Sequence, residues 1–234
     1  MIIEGSIAVK AAISNNKRTV SKVYIDAHKK TKDFNYIRSL TKRNGIELVE
    51  EDKEKLLDIA KGKTFGGVLA ECDTRKNDEI KNGDIFYLDG IEDPFNLGYI
   101  MRNLYAFGII NVILAPRDYS SMEEQLLKSS AGAYDMLNVK VADDPLNELN
   151  ALKEKGYKLY ALKRGDDAKD IFDFRFADKS LFMLGGEKRG ISSNLMNLCD
   201  EYLYISYGSD FRNSLNASNA AAVVATLLYR QKRK

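Results

Sequence analysis

The stretch that decides the fold is Ser180-Leu-Phe-Met-Leu-Gly-Gly-Glu-Lys-Arg-Gly190, an apolar run that ends in glycines and an acid. Two further pieces follow it, a short strand-like run at residues 202–206 and a polar turn that opens a small-residue helix at residues 213–228. Strands that lead through glycine or polar turns into helices are typical of ligand sites at the carboxyl edge of a parallel sheet. The last third of the chain therefore predicts an α/β fold with a site at that edge.

The chain upstream of this stretch predicts two α/β domains. Residues 84–162 alternate apolar strands with helices of about ten residues, which favours a parallel sheet covered by helices. Residues 1–73 show the same alternation on a smaller scale. Between them, residues 74–83 are polar and charged, which is typical of a linker. The predicted domains are therefore residues 1–73 and residues 84–234.

Three local patterns give expectations about where helices begin. Apolar residues at helical spacing predict one helix over residues 2–17. Ser120 or Ser121 is expected to cap a helix over residues 120–131. Asn96 follows a buried strand, so its amide could cap the next helix, hold a ligand or hold a neighbouring loop.

The composition is that of a soluble globular protein. Of 234 residues, 44% are hydrophobic and 30% are charged, and no apolar run approaches the roughly 20 residues that a membrane span needs. No secretory signal is evident, and two cysteines do not make a disulfide framework, so we expect a reduced, cytoplasmic protein. One histidine, His28, and two cysteines cannot easily assemble a zinc site. We expect no metal and no membrane partner, and His28 at the surface.

The net charge of +2 conceals an uneven distribution. Residues 1–76 carry 16 lysines and arginines against 11 acids, whereas the remainder carries 20 against 23. A basic amino-terminal part suggests a polyanionic partner, most plausibly nucleic acid. A solvated, lysine-rich surface explains the same charges equally well.

Three segments carry residue types that suggest chemistry. Arg102 lies two turns along an apolar helix, where it needs an anionic partner, either a ligand or an acid of this chain. Glu187 stands in a glycine loop that lacks the spacing of either phosphate-binding glycine fingerprint. A capped, tightly packed helix explains the alanines after residue 216 and one capping residue. It does not explain why four polar side chains fall within six positions there, namely Ser214, Asn216, Ser218 and Asn219.

Taken together, these segments resemble the SpoU (TrmH-like) family of RNA ribose 2′-O-methyltransferases of the SPOUT superfamily. Asn96-Leu-Gly-x-x-x-Arg102, Leu184-Gly-Gly-Glu-x-x-Gly190 and Ser214-Leu-Asn-x-Ser218 are similar to its three motifs, in order and spacing. The match covers about residues 84–230. Residues 1–73 more loosely resemble the small L30e-like RNA-binding domain that many members carry.

The resemblance implies a carboxyl-terminal deep trefoil knot, which patterning alone could not predict. It implies S-adenosyl-L-methionine as cofactor and a homodimer in which Arg102 comes from the partner subunit. Asn96, Arg102, Glu187, Ser214 and Asn216 would be the catalytic residues. The implied cofactor-binding residues are Leu184, Gly185, Gly186, Ile205, Leu215, Asn216 and Ser218.

The implied reaction is methylation of a ribose 2′-hydroxyl in structured RNA, with 23S ribosomal RNA as the expected substrate. The family mechanism makes the motif arginine the base. A free guanidinium is effectively always protonated, so we hypothesise instead that Arg102 holds an RNA phosphate and orients the hydroxyl.

One segment departs from the family pattern. The family usually has a proline after Ile205, whereas here Ser206-Tyr-Gly208 follows and the loop to Asn213 is slightly long. This departure affects the shape of the cofactor pocket more than the proposed catalytic residues.

Other functions are compatible with the sequence. A transfer RNA ribose methyltransferase is the main alternative, and an RNA-binding relative without catalysis is another. A flavodoxin-like binder of small ligands would require the three motifs to be coincidental.

Overall fold

A computed structural model describes residues 1–62, 64–186 and 189–233. Strands and helices alternate along most of this part of the chain. In chain order they are β1 (Ile2–Glu4), α1 (Ser6–Asn15), β2 (Val20–Asp26), α2 (Lys32–Arg43), β3 (Glu47–Glu51), α3 (Lys53–Ile59), β4 (Val68–Cys72), β5 (Ile85–Asp89), α4 (Pro94–Ala106), β6 (Asn111–Leu114), α5 (Glu123–Ser129), β7 (Asn138–Val141), α6 (Pro145–Glu154), β8 (Lys158–Leu162), β9 (Lys169–Asp170), β10 (Ser180–Gly185), α7 (Ser193–Met196), β11 (Glu201–Tyr204) and α8 (Ala217–Lys232).

The chain divides into two compact units. Unit 1 consists of residues 1–76 and 119–136, and unit 2 of residues 77–118 and 137–234. Unit 1 is built on a four-stranded sheet in the order β1-β4-β2-β3. In this sheet β4 is antiparallel to both β1 and β2, whereas β2 and β3 are parallel. Its core includes Ile3, Val23, Ile25 and Leu69, all fully buried.

A buried ionic cluster joins the two segments of unit 1. The guanidinium of Arg18 donates from Nε and Nη2 to the two carboxylate oxygens of Asp135, each at 2.9 Å, and from Nη1 to Glu123 at 2.6 Å. The side chains of Arg18 and Asp135 are fully buried. Burial alone would lower the pKa of Arg18, but the hydrogen bonds and charges of Asp135 and Glu123 raise it above its ordinary value. Segment 119–136 is therefore held to residues 1–76 by a paired charge as well as by packing.

Unit 2 is built on a seven-stranded sheet in which every pairing is parallel. The strand order is β7-β6-β5-β10-β8-β11-β9, and β10 lies between β5 and β8, with Leu181 opposite both Ile85 and Leu159. The prediction of an α/β fold with a parallel sheet is confirmed.

Both faces of the central strands are covered. Phe86 and Phe182 stack on one face with their ring centroids 5.2 Å apart, next to Tyr160. Tyr87 and Met183 point the other way, because successive side chains of a strand alternate, and lie in a core that includes Leu149 and Leu195 of α6 and α7. Apolar runs without alternation, such as residues 181–184, are what a doubly covered strand requires.

Two helix predictions were wrong. Residues 2–17 form a strand and then a helix, β1 and α1, because Gly5 between them has a φ of 91°, a left-handed value that breaks a continuous helix. The predicted cap by Ser120 or Ser121 is not formed either, because the N-cap of α5 is Met122. Ser120 begins a short 3₁₀ turn, Ser120–Met122, and α5 starts at Glu123 without a side-chain cap.

Within the described ranges, no helix is both long and apolar enough to cross a membrane. His28 lies at the surface as predicted, with 79% of its side chain exposed, and contacts Asp52 at 2.8 Å.

We predict that the two cysteines react slowly in the folded protein. Both are free thiols. Burial raises the pKa of Cys199 to about 12 and also raises the pKa of Cys72. Because the thiolate is the reactive form, alkylation by iodoacetamide at pH 8 should be at least about tenfold slower than in urea. Mass spectrometry counts the modified thiols with time, and equal rates in buffer and in urea would contradict the expectation.

Candidate active site

The site lies at the carboxyl ends of four parallel strands of unit 2, β5, β10, β8 and β11. β5 and β10 are joined at this edge by backbone and side chain alike. The amide of Gly186 donates to the carbonyl of Asp89 at 2.8 Å, and the carboxylate of Asp89 accepts from both the amide and the hydroxyl of Ser192, at 2.7 and 2.9 Å. The loop after β10 is therefore fixed on both sides of its turn.

The glycine pair in this loop is required by the chain itself. A Cβ atom on Gly185 would lie 2.1 Å from the carbonyl carbon of Gly190, and one on Gly186 would lie 2.2 Å from the carbonyl oxygen of Gly90. Glycines after a strand can allow a ligand to approach the backbone closely. In the structure other segments of backbone make that approach.

A cavity of about 520 Å³ opens between the ends of β8, β10 and β11 and the start of α8. Its wall is part apolar side chain and part backbone, as is usual for sites that bind small molecules. The structure brings most of the predicted site residues to this wall. They are Leu184, Gly185, Gly186, Ile205, Ser214, Leu215 and Asn216.

Asn216 combines two positions in one residue, the cavity wall and the N-cap of α8. Its side-chain oxygen accepts from the amide of Asn219 at 2.9 Å and from the hydroxyl of Ser218 at 3.0 Å. No described residue accepts from its side-chain nitrogen. Ser218 is buried and lies outside the cavity wall, where its carbonyl accepts from Asn103 at 3.3 Å. The sequence analysis attributed one of the four clustered polar residues to a helix cap, and Asn216 is that residue.

Asn96 lies in a second cavity, of about 670 Å³, which shares Gly190 and Ala217 with the first. Of the three roles that the sequence left open for Asn96, the cap of α4 is excluded. Asp93 is the cap, and its carboxylate accepts from the amides of Phe95 and Asn96 at 3.3 and 3.1 Å. Asn96 is inside the first turn of the helix.

Arg102 is exposed on the outer face of α4 and lines neither cavity. Phe95, Tyr99 and Tyr105 share that face, each roughly half exposed, whereas Leu97, Ile100 and Leu104 face the core. The sequence analysis left open whether the anionic partner of Arg102 is a ligand or an acid of this chain. Among the described residues, no acid pairs with Arg102. Glu187 lies outside the described residues.

Two family models match the chain. The model of the SpoU rRNA Methylase family matches residues 84–226, and a model for RNA 2′-O ribose methyltransferase substrate binding matches residues 2–77. The chain belongs to the SpoU methylase family. The predicted resemblance is thereby confirmed, and with it the assignment to the RNA methyltransferases of that family.

Curated relatives of this SpoU chain match over nearly its full length. A Staphylococcus saprophyticus protein, provisionally named as a TrmH family tRNA/rRNA methyltransferase, is 29% identical over 99% of this chain and 96% of its own. The mitochondrial rRNA methyltransferase 1 of Schizosaccharomyces pombe is 26% identical over 94% of this chain and 86% of its own.

A solved SpoU structure shares the fold. The methyltransferase AviRb of Streptomyces viridochromogenes, crystallised in complex with AdoMet, superimposes with a TM-score of 0.80 at 21% identity. The match covers 99% of this chain and 90% of that one.

Among the residues of the SpoU cavity wall that the sequence interpretation missed are Lys163, Arg164, Tyr204 and Tyr207. A signal was available for the first two, because Lys163-Arg164 directly follows the predicted strand at residues 158–162, at the edge where α/β sites form. Tyr207 lies in the loop that departs from the family pattern.

No group of three or more His, Cys, Asp or Glu side chains in residues 1–62, 64–186 and 189–233 is placed to hold a metal ion.

Proposed function

We propose that this protein transfers a methyl group from S-adenosyl-L-methionine to a ribose 2′-hydroxyl of structured RNA, with 23S ribosomal RNA as the substrate. The observation that carries the proposal is the cavity at the carboxyl edge of the sheet. It draws its wall from two of the three motif segments, residues 184–190 and 214–218, and borders the cavity that contains Asn96 of the first.

The residues of the first cavity fit the proposed cofactor. Its volume of about 520 Å³ lies within the range of about 300–1,000 Å³ for sites that bind small molecules. Leu184, Ile205 and Leu215 offer apolar surface for a flat base. When bound, S-adenosyl-L-methionine supplies an activated methyl group on sulfur.

The chain's own residues are proposed to position the substrate. Asn216 uses its oxygen to cap α8, which leaves its side-chain nitrogen to hold the ribose, with Ser214 beside it and Ser218 fixing its rotamer. Asn96 and Glu187 are proposed to hold the neighbouring loops. Alignment of the hydroxyl with the methyl group accounts for most of the rate enhancement that we expect from such a site.

We propose a homodimer in which Arg102 serves the cavity of the partner subunit. Arg102 lies on a helix face with Phe95 and Tyr99, whose exposed rings favour burial against another protein surface. Its absence from both cavities of its own chain supports a role in another chain. There we expect it to hold an RNA phosphate and orient the 2′-hydroxyl.

Two finer features of the fold are also proposed. The first is a deep trefoil knot at the carboxyl end, supported by the close passage of Gly185 past Gly190 and of Gly186 past Gly90. The second is an L30e-like RNA-binding domain, supported by the substrate-binding model over residues 2–77 and by the basic surplus there. We propose a cytoplasmic location, in keeping with two free cysteines.

The choice of ribosomal RNA over transfer RNA rests on the names of the matching family model and of the relatives. The family model that covers residues 84–226 is described as an rRNA methylase, and the Schizosaccharomyces pombe relative is an rRNA methyltransferase. The Staphylococcus saprophyticus relative is named for both substrates, so a transfer RNA ribose methyltransferase is the second candidate.

The decisive experiment incubates the protein with methyl-labelled S-adenosyl-L-methionine and, separately, with unmodified ribosomal and transfer RNA from one matched source. We expect label on ribosomal RNA alone, and on ribose after nuclease digestion. Asn216→Ser keeps a residue that caps helices but lacks the amide nitrogen, so it should lose activity while remaining folded. Arg175→Ala is the matched control, because Arg175 is exposed and lines neither cavity.

The alternative outcomes separate the competing functions. Ribose label on transfer RNA would favour the second candidate, and label on a base would rule out 2′-O chemistry. No label together with no binding of S-adenosyl-L-methionine would indicate a non-catalytic RNA-binding protein.

A further inference from the structure

Arg164, in the loop after β8, holds the segment that leads into the third motif. Its guanidinium donates from Nη1 to the carbonyl of Arg212 at 2.6 Å and from Nη2 to the carbonyl of Asn213 at 3.2 Å. These two carbonyls directly precede Ser214. Residues 205–216 contain neither helix nor strand, so side-chain contacts such as these hold the segment in place.

Tyr207 ties the same segment at a second point. Its hydroxyl accepts from the amide of Leu215 at 2.9 Å. The guanidinium carbon of Arg164 lies 4.5 Å from the centre of its ring, within the range of a cation–π contact. The ring of Phe211 lies next to Tyr207, at 6.0 Å between centroids. Arg164 and Tyr207 therefore connect both ends of the loop to each other.

We propose that Arg164 and Tyr207 form a clamp that orders residues 206–213 before the cofactor binds and so positions Ser214, Leu215 and Asn216 in the cavity wall. Arg164 is in this sense a positioning residue for cofactor affinity. The inference rests on the proposed function for the identity of the cofactor, but the clamp itself is a property of the chain without ligand.

The physical reason is preorganisation. A loop that is ordered in the free protein does not have to be ordered by the ligand, so less of the binding energy is lost. A planar guanidinium suits this role, because its several donors in a fixed fork can hold two consecutive carbonyls at once.

Limited proteolysis tests the clamp without any cofactor. Trypsin cleaves after arginine, and the carbonyl of the Arg212–Asn213 peptide bond is the one that Arg164 holds. The rate of cleavage depends on the fraction of molecules in which the loop is open. Arg164→Ala should therefore accelerate tryptic cleavage after Arg212 by about tenfold. Arg164→Lys, which keeps the charge but not the fork, should fall between it and wild type. Arg175→Ala should behave as wild type.

Cofactor affinity tests the consequence. By calorimetry, Arg164→Ala should weaken S-adenosyl-L-methionine binding by about tenfold, because the ligand then has to order the loop. Tyr207→Phe keeps the ring and loses the hydroxyl acceptor, so it should weaken binding by about threefold.

The outcomes are distinguishable from those of the proposed function. Unchanged cleavage at Arg212 in Arg164→Ala would overturn the clamp, whether or not the cofactor binds. Faster cleavage with unchanged affinity would overturn the link between clamp and cavity. Failure of the wild type to bind S-adenosyl-L-methionine would refute the proposed function, while the cleavage experiment would still decide whether the clamp exists.

Discussion

Arg102→Ala is expected to reduce kcat for RNA methylation by about 100-fold or more while leaving S-adenosyl-L-methionine affinity unchanged. The reason is its position. Arg102 lines neither cavity of its own chain, and in the partner subunit it is proposed to hold an RNA phosphate and not the cofactor. Its loss should therefore spare cofactor binding but deprive the RNA of the group that holds its phosphate. Single-turnover rates and calorimetry on the same preparation separate the two effects, with Arg175→Ala as the control.

A second variant separates positioning from proton transfer. Arg102→Lys keeps the positive charge and loses the planar fork, so we expect a rate about tenfold below wild type. If Arg102 only positions the substrate, the pH–rate profile of Arg102→Lys should keep the shape of the wild-type profile. A profile displaced along the pH axis would instead support Arg102 as the base.

Mixing two inactive variants tests whether Arg102 acts in the partner subunit. Arg102→Ala and Asn216→Ser, co-expressed with different tags in equal amounts, should give about a quarter of wild-type activity, because half of the dimers are mixed and each has one intact site. Purified mixed dimers without activity would show that Arg102 serves its own chain, and the absence of any dimer would refute the proposed assembly.

The sequence predicted the methyltransferase part of the fold well because its strands are long apolar runs. Residues 85–88 and 181–184 are buried, and such apolar runs are unambiguous when glycine and polar turns follow them. Gly185, Ile205 and Asn216 were predicted as site residues through the motif resemblance. Hydrophobic periodicity alone does not show that their three segments meet in one cavity wall.

The parts that the sequence did not predict depend on contacts between distant residues. Arg18 meets Asp135 across 117 positions, and no local pattern marks that pairing. Asp93 is the N-cap of α4, a role that the sequence had left open for Asn96, since Pro94 fits the first helical position and an aspartate before it is a strong N-cap. Arg164 was missed because its role depends on the path of a loop 48 residues away.

Arg18→Ala is expected to destabilise unit 1 by about 3–5 kcal/mol. The substitution leaves Asp135 and Glu123 buried without the guanidinium of Arg18, and Asp135 retains the more distant guanidinium of Arg75, whose Nε lies at 3.7 Å. The carbonyl of Asp73 also loses a donor, at 3.2 Å from Nη1 of Arg18. Removing one partner of a buried ion pair costs far more than the pair contributes relative to apolar residues, because the remaining charge cannot reach water.

Arg38→Ala provides the matched control. Arg38 forms the same kind of two-pronged pair with Glu50, at 2.9 and 3.0 Å, but 23% of the Arg38 side chain and 42% of the Glu50 side chain are exposed. Its loss should cost only about 0.2–1 kcal/mol. Urea unfolding followed by circular dichroism compares the two variants, provided that the slope m stays constant.

The size of the difference between the two variants decides what holds segment 119–136 in unit 1. If Arg18→Ala costs no more than Arg38→Ala, apolar packing alone keeps that segment in place and the buried cluster contributes little. If Arg18→Ala is as destabilising as expected, replacing Arg18 and Asp135 together by Met and Leu should recover part of the loss, because no charge of that pair would then remain buried without a partner. The recovery should be partial, because in the double variant Glu123 still lacks Arg18 and the buried guanidinium of Arg75 loses Asp135.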